Sequence, residues 1–163
     1  MSDEFDIAIV GSGPSGLSAA ARAAQKDISH ILLEATDHAS DTIFKFQKRK
    51  FVMATPDVMP LRSDTSFAAG TREEILDKWD EEIEQQKINI SYKSEVTGIS
   101  GEKGNFTLEV KGGRTIKANH IVLSIGMQGN LRKLDVEGDD WEFVQYQLDD
   151  PEEYEDETII VVG

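Results

Sequence analysis

Three glycines, Gly11, Gly13 and Gly16, stand in the spacing G-x-G-x-x-G, and Glu34 follows 23 positions after the first. Residues of these types at these distances can hold a dinucleotide. Gly11 suits a tight turn where a Cβ would clash. Gly13 lets a pyrophosphate approach the backbone, and Gly16 lets a helix pack closely on a strand. Pro14 fits the first helical turn, because its φ is preset and its missing N–H would be unpaired there anyway. The free N–H groups and the dipole at such a helix start favour a phosphate. Glu34 lies near the offset of about 20 residues at which an acid accepts hydrogen bonds from an adenosine ribose. Two other glycine motifs fail on their residues. A Walker-type loop needs Lys after Gly16, where Leu17 stands, and a nucleophile elbow needs G-x-S-x-G, whereas Ser15 directly precedes Gly16.

The elements that must position these residues are legible around them. Phe5 to Val10 is an apolar run, Leu17 to Ala24 is a small-residue helical run, and Ile31 to Leu33 is a second apolar run delivering Glu34. Strand, glycine turn, helix, strand and acid form a βαβ unit. Ala35 to Arg49 has no clear periodicity. Phe51 to Pro56 reads as a short extended piece, and Pro56 and Pro60 punctuate a loop. A long irregular stretch after the carboxyl end of a strand is where ligands bind in open α/β sheets. Lys45, Gln47 and Met53 are therefore candidates for the reactive end of a cofactor. The competing reading makes Phe44, Phe46 and Met53 core plugs and leaves Lys45 solvated.

Thr71 and Glu74 form a T-x-x-E capping box. Ile75, Trp79, Ile83 and Ile88 mark one face of a helix running to about Gln86, with a strand near Ile88 to Tyr92. Three strand-like runs follow: Ser94–Ser100, Asn105–Lys111 and about Thr115–Ala118, with turns at Gly101–Gly104 and at Gly112-Gly113. They predict an antiparallel meander inserted in a parallel α/β pattern. His120 to Ile125 is a further strand ending at Gly126, and 128–132 is a turn. Glu157 to Gly163, ETIIVVG, repeats the pattern FDIAIVG at Phe5–Gly11, as though a second dinucleotide fold were starting.

Composition narrows the classes. The chain has 163 residues, 39% hydrophobic and 29% charged, with no cysteine, so it holds no disulfide, thiolate metal site or redox dithiol. Met1-Ser2-Asp3-Glu4 is acidic and runs straight into a strand, unlike a secretory signal. No apolar run reaches membrane-spanning length, and the cytoplasm is the default location. The net charge of −14 is uneven: 135–157 holds 12 of the 31 acids and none of the 17 Lys and Arg. This argues against nucleic-acid binding. The acidic segment reads as a solvated connection or as a docking patch for a basic partner. His30, His38 and His120 lack metal-ligand spacing. Asp139-Asp140 and Asp149-Asp150 lack the EF-hand pattern. No side chain must be an acid, base or nucleophile.

Taken together, Gly11-Ser12-Gly13-Pro14-Ser15-Gly16 with Glu34, the meander, the strand ending Ser124-Ile125-Gly126 and the strand-glycine at 157–163 resemble the two-dinucleotide flavoprotein oxidoreductases, in the branch of thioredoxin reductase. The resemblance implies FAD on the first βαβ unit and NAD(P)H on a second, with electrons passing to a disulfide, a ferredoxin-like protein or another acceptor. It implies that Gly11, Gly13 and Gly16 take the FAD pyrophosphate and that Ser12, Pro14 and Ser15 shape its turn. Glu34 would hold the adenosine ribose, Val96 would meet the adenine through its backbone, and Gly126 would pass close to the cofactor. Two departures stand out. The glycine pair expected after the acid is replaced by Ala35-Thr36-Asp37-His38, and the A-T-G triplet reads Ser124-Ile125-Gly126. The resulting expectation is a Rossmann-like FAD domain over 1–126, an acidic connection over 127–156, and the first strand of a truncated nucleotide domain over 157–163. Such a fragment would bind FAD weakly or stand as an apo form, be inactive alone, and self-associate as a homo-oligomer or strand-exchanged dimer. Two other readings remain: an NAD-binding dehydrogenase or regulatory domain, and a non-catalytic interaction module.

Overall fold

A computed structural model of the chain describes residues 3–54, 63–127, 133–148 and 150–162. Pro56, Pro60, the turn at 128–132, Asp149 and Gly163 lie outside them. β1 (Asp3–Val10), α1 (Pro14–Gln25) and β2 (His30–Leu33) form the βαβ unit. β1 sits between β2 and β8 (Arg114–Leu123), parallel to both. With β5 (Ile90–Ser91), β6 (Val96–Glu102) and β7 (Asn105–Val110), they make a six-stranded mixed sheet in the order β5-β2-β1-β8-β7-β6. This is an α/β, Rossmann-like arrangement carrying an antiparallel meander.

The meander differs from its sequence expectation in one respect. The run near 115–118 and the run near 120–125 are one strand, β8. Its first half pairs antiparallel with β7, from Val110↔Arg114 to Phe106↔Ala118. It also pairs with β1 from Asp3↔Ile116 to Val10↔Leu123. Asn119, read as a break, continues the strand: its Nδ2 donates to Asp6 Oδ1 at 3.1 Å and its carbonyl accepts from Gly104 N–H at 2.9 Å. The meander is thus welded to the central sheet.

Helices cover one face. Ile9 and Leu32 pack with Leu17, Ala20 and Ala21 of α1 and with Ile75, Trp79 and Ile83 of α3 (Arg72–Gln85). α3 starts at the expected capping box: Thr71 Oγ1 accepts from Glu74 N–H, and Glu74 Oε2 accepts from Thr71 N–H at 2.8 Å. Trp79 is 3% exposed and donates its indole N–H to Ser66 O at 3.0 Å. On the other face Ala8, Ile31 and Leu33 pack with Leu108, Val110, Ile116 and Ala118. The split follows from the period of two along a strand, which sends Ala8 and Ile9 to opposite sides.

The 35–49 stretch contains a short helix, α2 (Asp41–Phe44). A two-stranded ribbon joins β3 (Phe51–Val52) to β4 (Gly70–Thr71). The acidic segment carries a 3-10 turn, Pro151–Tyr154, fastened to the body by Lys48–Asp150 and Arg49–Glu152 ion pairs. Thr158–Val162, expected as a strand, forms no ladder with any described strand. Ile160 and Val161 stand 89% and 86% exposed. A strand needs partners for its N–H and C=O groups, and apolar content alone does not supply them.

Gly16 fixes the approach of α1 to β1. A Cβ there would sit 1.9 Å from Gly11 O and 2.9 Å from Ser124 Oγ. Gly16→Ala should therefore destabilise the fold by about 3 kcal/mol, lowering the melting temperature by roughly 6–12 °C. A calorimetric scan with no drop would show that the helix can slide outward freely.

Candidate nucleotide site

The site is built where β1, β2 and β8 end together. Gly11 adopts φ 95°, and its N–H donates to Leu33 O at 2.9 Å. A Cβ on Gly11 would meet Ser124 O at 2.5 Å. The turn is thus pressed against the end of β8. Ser124 secures it from below: its hydroxyl lies 3.0 Å from Val10 O and 3.1 Å from Gly11 O. Gly13 is different. A Cβ there would have no atom within 4 Å, and no side chain caps the first turn of α1. The turn is closed toward the sheet at Gly11 and Gly16 and open at Gly13, which leaves the helix start accessible to an anion.

Glu34 is 7% exposed. Its Oε2 accepts from Ser12 N–H at 3.0 Å and from the Ser12 hydroxyl. Its Oε1 accepts from Thr36 N–H at 3.0 Å and from Thr36 Oγ1 at 3.1 Å. Burial pushes its carboxyl pKa up, but the hydrogen bonds from Ser12 and Thr36 outweigh burial and hold it below the usual 4.5. Glu34 is therefore a charged clasp between the glycine turn and the end of β2. Two of its four donors are side-chain hydroxyls, and that of Thr36 can turn to His38 O, 2.8 Å away, in favour of another O–H donor.

The structure brings several of the sequence candidates together. Gly11, Ser12, Gly13, Pro14, Ser15 and Gly16 form the turn and first helical residues beside Glu34. The segment leading to Val96 lies next to it, since Ser94 N–H donates to Glu34 O at 2.7 Å and Lys93 N–H to Thr36 O at 2.8 Å. Val96 itself opens β6 opposite Val110 and packs against the second core cluster. Gly126, at φ 67°, follows Ser124 just past the end of β8, with open space at its Cβ position.

Lys45, Gln47 and Met53 are not drawn into this cluster. Lys45 pairs with Asp41 at 2.7 Å, Gln47 is half-buried, and Met53 is 69% exposed. The core-plug reading holds for one of its three side chains: Phe46 packs on the first cluster, whereas Phe44 and Met53 are exposed. Phe44 is instead stacked on His38, with ring centroids 3.7 Å apart, and flanked by Arg72. His30 ties β2 to the approach of β5, its Nε2 accepting from Asn89 N–H at 3.2 Å.

Three contributors escaped the sequence reading: Thr36, Ser40 and Ser124. Hydroxyls occur everywhere, and only the folded register shows which carbonyl or carboxylate each one meets. Beside the start of α1 lies a cleft of about 230 Å³ lined by Pro14, Ser18, Ser63, Thr65, Phe67 and Trp79. Thr65 Oγ1 is buried there with no hydrogen-bond partner among the described residues. No group of His, Asp and Glu among the described residues could hold a metal ion, and no helix there is long and apolar enough to cross a membrane.

Comparison with known proteins places this geometry. The profile of a family described as pyridine nucleotide-disulphide oxidoreductase matches residues 8–163. A ferredoxin–NADP reductase of Picrophilus torridus is 31% identical over 166 positions, covering 99% of this chain and 47% of the relative. A thioredoxin reductase of Peptoclostridium litorale is 22% identical, over 80% of this chain and 37% of the relative. The chain spans about half the length of the curated relatives it matches first. Among solved structures, the bacillithiol disulfide reductase of Staphylococcus aureus superposes with a TM-score of 0.71 at 20% identity, over 86% of this chain and 44% of its own. The thioredoxin reductase of Lactococcus lactis gives 0.64 at 22%, over 82% and 39%. At these identities the two structures establish the shared fold.

The Glu34 carboxyl carries a pH signature. Its folded pKa lies below its unfolded value, so its stabilisation is complete above about pH 4.5 and is lost as pH falls through the folded value. Glu34→Gln should be less stable than wild type at pH 7, and that deficit should shrink toward about pH 3. Urea denaturation of both proteins at the two pH values decides it. A deficit of the same size at both would mean that the charge is irrelevant.

Proposed function

Because this chain belongs to the pyridine nucleotide-disulphide oxidoreductase family, we propose that it binds FAD through the turn at Gly11–Gly16 and serves as the flavin domain of an NAD(P)H-dependent oxidoreductase. The observation that carries the reading is the asymmetry of the glycine turn. It is packed shut where a side chain would disturb the fold and open only at Gly13, against a helix start that no side chain caps. That is the shape and polarity a pyrophosphate needs. Bound flavin would supply the redox chemistry, relaying electrons from the nicotinamide to an acceptor.

The protein's own residues bind and orient. Ser15 and Gly16, in the first turn of α1, present backbone N–H groups to the pyrophosphate. Glu34 takes the hydroxyls of the adenosine ribose in place of the Thr36 hydroxyl, which turns to His38 O, and keeps the Ser12 hydroxyl and the backbone N–H groups of both residues. The segment entering β6 at Val96 borders the adenine, and Gly126 leaves room for the cofactor at the end of β8. Lys45, Gln47 and Met53 belong to the flavin end of the reading and require movement of the 45–53 loop to reach it. We assign residues 1–126 to the flavin domain, 127–156 to a connection and 157–163 to the first strand of a nucleotide domain, in a cytoplasmic enzyme. The acceptor is a disulfide-containing or ferredoxin-like protein, as the names of the relatives suggest. Self-association through the outer edge of β6 is part of the same proposal, supported by its place at the end of the sheet. Light scattering showing a strict monomer at high concentration would remove that part.

The test is the near-ultraviolet and visible spectrum of the purified chain before and after addition of FAD and desalting. Retained flavin bands support the reading. A colourless protein that takes up NAD but not FAD would move the assignment to an NAD-binding domain. Gly13→Ala sharpens the test: its stability should stay within about 0.5 kcal/mol of wild type, because its Cβ meets nothing. Its FAD affinity should fall at least about tenfold, because the pyrophosphate is held away from the backbone. Equal affinity would place the pyrophosphate elsewhere.

A further inference from the structure

One buried hydroxyl beside the site has no place in the reading above. Ser40 is 2% exposed and Ser12 is fully buried. The Ser40 N–H is shared between Ser12 Oγ and Ser12 O, both at 3.2 Å, and the Ser40 hydroxyl donates to Ser12 O at 3.2 Å. Ser12 in turn gives its N–H and its hydroxyl to Glu34 Oε2. A hydroxyl has one hydrogen. Because the Ser40 N–H approaches Ser12 Oγ as an acceptor, that hydrogen is directed to Glu34. Turning the Ser12 side chain away would break both bonds in a place closed to water, where unpaired polar groups are costly.

The backbone at Ser40 points the same way. Ser40 sits at φ 58°, ψ 44°, the left-handed region that glycine enters without strain and serine does not. A glycine would relieve the strain but lose the bond from the Ser40 hydroxyl to Ser12 O. A strained serine whose N–H and hydroxyl both meet Ser12, while its carbonyl accepts from the Ile43 and Phe44 N–H groups of α2, is explained by what its hydroxyl does to Ser12.

We propose that Ser40 is a positioning residue for the ribose end of the dinucleotide: it holds Ser12, and through Ser12 the Glu34 carboxylate, in the orientation that a ribose diol requires, without touching the ligand. The proposal rests on the dinucleotide reading. Thr36 steadies Oε1 and the Ser40–Ser12 pair steadies Oε2, so the carboxylate plane is fixed from both sides. A diol brings two O–H donors at a set spacing and gains from that fixed plane. A ligand without the diol makes no use of it.

The consequence is a ligand-selective effect that a merely structural role would not produce. Calorimetric titration with ADP and with 2′,3′-dideoxy-ADP, on wild type, Ser40→Ala and Ser40→Gly, reads it, and melting curves report folding. Both variants should bind ADP about three- to tenfold more weakly, the loss of one buried hydrogen bond, and bind the dideoxy ligand as wild type does. Ser40→Gly keeps the test available if the alanine, in its strained conformation, fails to fold. Equal losses for both ligands, or no loss for ADP, would overturn the role of Ser40 while leaving the dinucleotide reading intact. A wild-type chain that binds neither ADP nor FAD would overturn both.

Discussion

A buried carboxylate must have its charge answered, and Glu34 imposes that requirement on everything around it. Leaving such a group without partners costs several kcal/mol. Four donors from two residues meet it, one pair from the glycine turn and one from the residues just past β2. The turn therefore cannot drift from β2, and β2 cannot fray from β1 without exposing or stranding the charge. The same arrangement keeps the carboxyl ionised at neutral pH despite burial, because hydrogen bonding to the charged form outweighs desolvation.

That clasp works only if β1 is held on its other side, and β8 does this. Its register with β1 runs the whole length of the shorter strand and ends at Val10↔Leu123, so Ser124 falls directly under Gly11. The antiparallel β7 anchors the first half of β8, and the parallel β1 takes the second. The meander thus sets where β8 ends, and the end of β8 sets the height of the glycine turn. A hairpin far from the glycine turn in sequence becomes part of the geometry of that turn. Bonds from β1, β2 and β8 converge on three consecutive residues, Val10, Gly11 and Ser12.

The sequence made the βαβ unit legible because each part has a local physical signature: a strand-length apolar run, glycines at positions that exclude Cβ, and a capping box at Thr71 and Glu74. It misread β8 as two strands because Asn119 looks like a break locally. Only pairing with two neighbours of opposite direction shows that the backbone runs on. Thr158–Val162 meets no described strand for a related reason, since β-propensity describes a residue's fit to a sheet and not the presence of one. At the site, glycines and the acid are announced by spacing, whereas Thr36, Ser40 and Ser124 matter through contacts 2, 28 and 114 residues away in sequence. A hydroxyl has no periodicity to betray such a role.

The missing glycine pair after the acid shows how the chain replaces one solution with another. Where the family pattern relies on glycine for backbone freedom, this chain places Ala35-Thr36-Asp37-His38 and then a serine in the left-handed region. Freedom is replaced by bonds. Thr36 Oγ1 reaches both Glu34 and His38 O, His38 lies between the carboxylates of Asp37 and Asp41 and against Phe44, and Ser40 is tied to Ser12. A glycine loop can adjust to an arriving nucleotide, and a bonded loop must already have the right shape. The stretch from Glu34 to Phe44 is therefore preorganised, and a nucleotide bound there would spend none of its binding energy on ordering the loop.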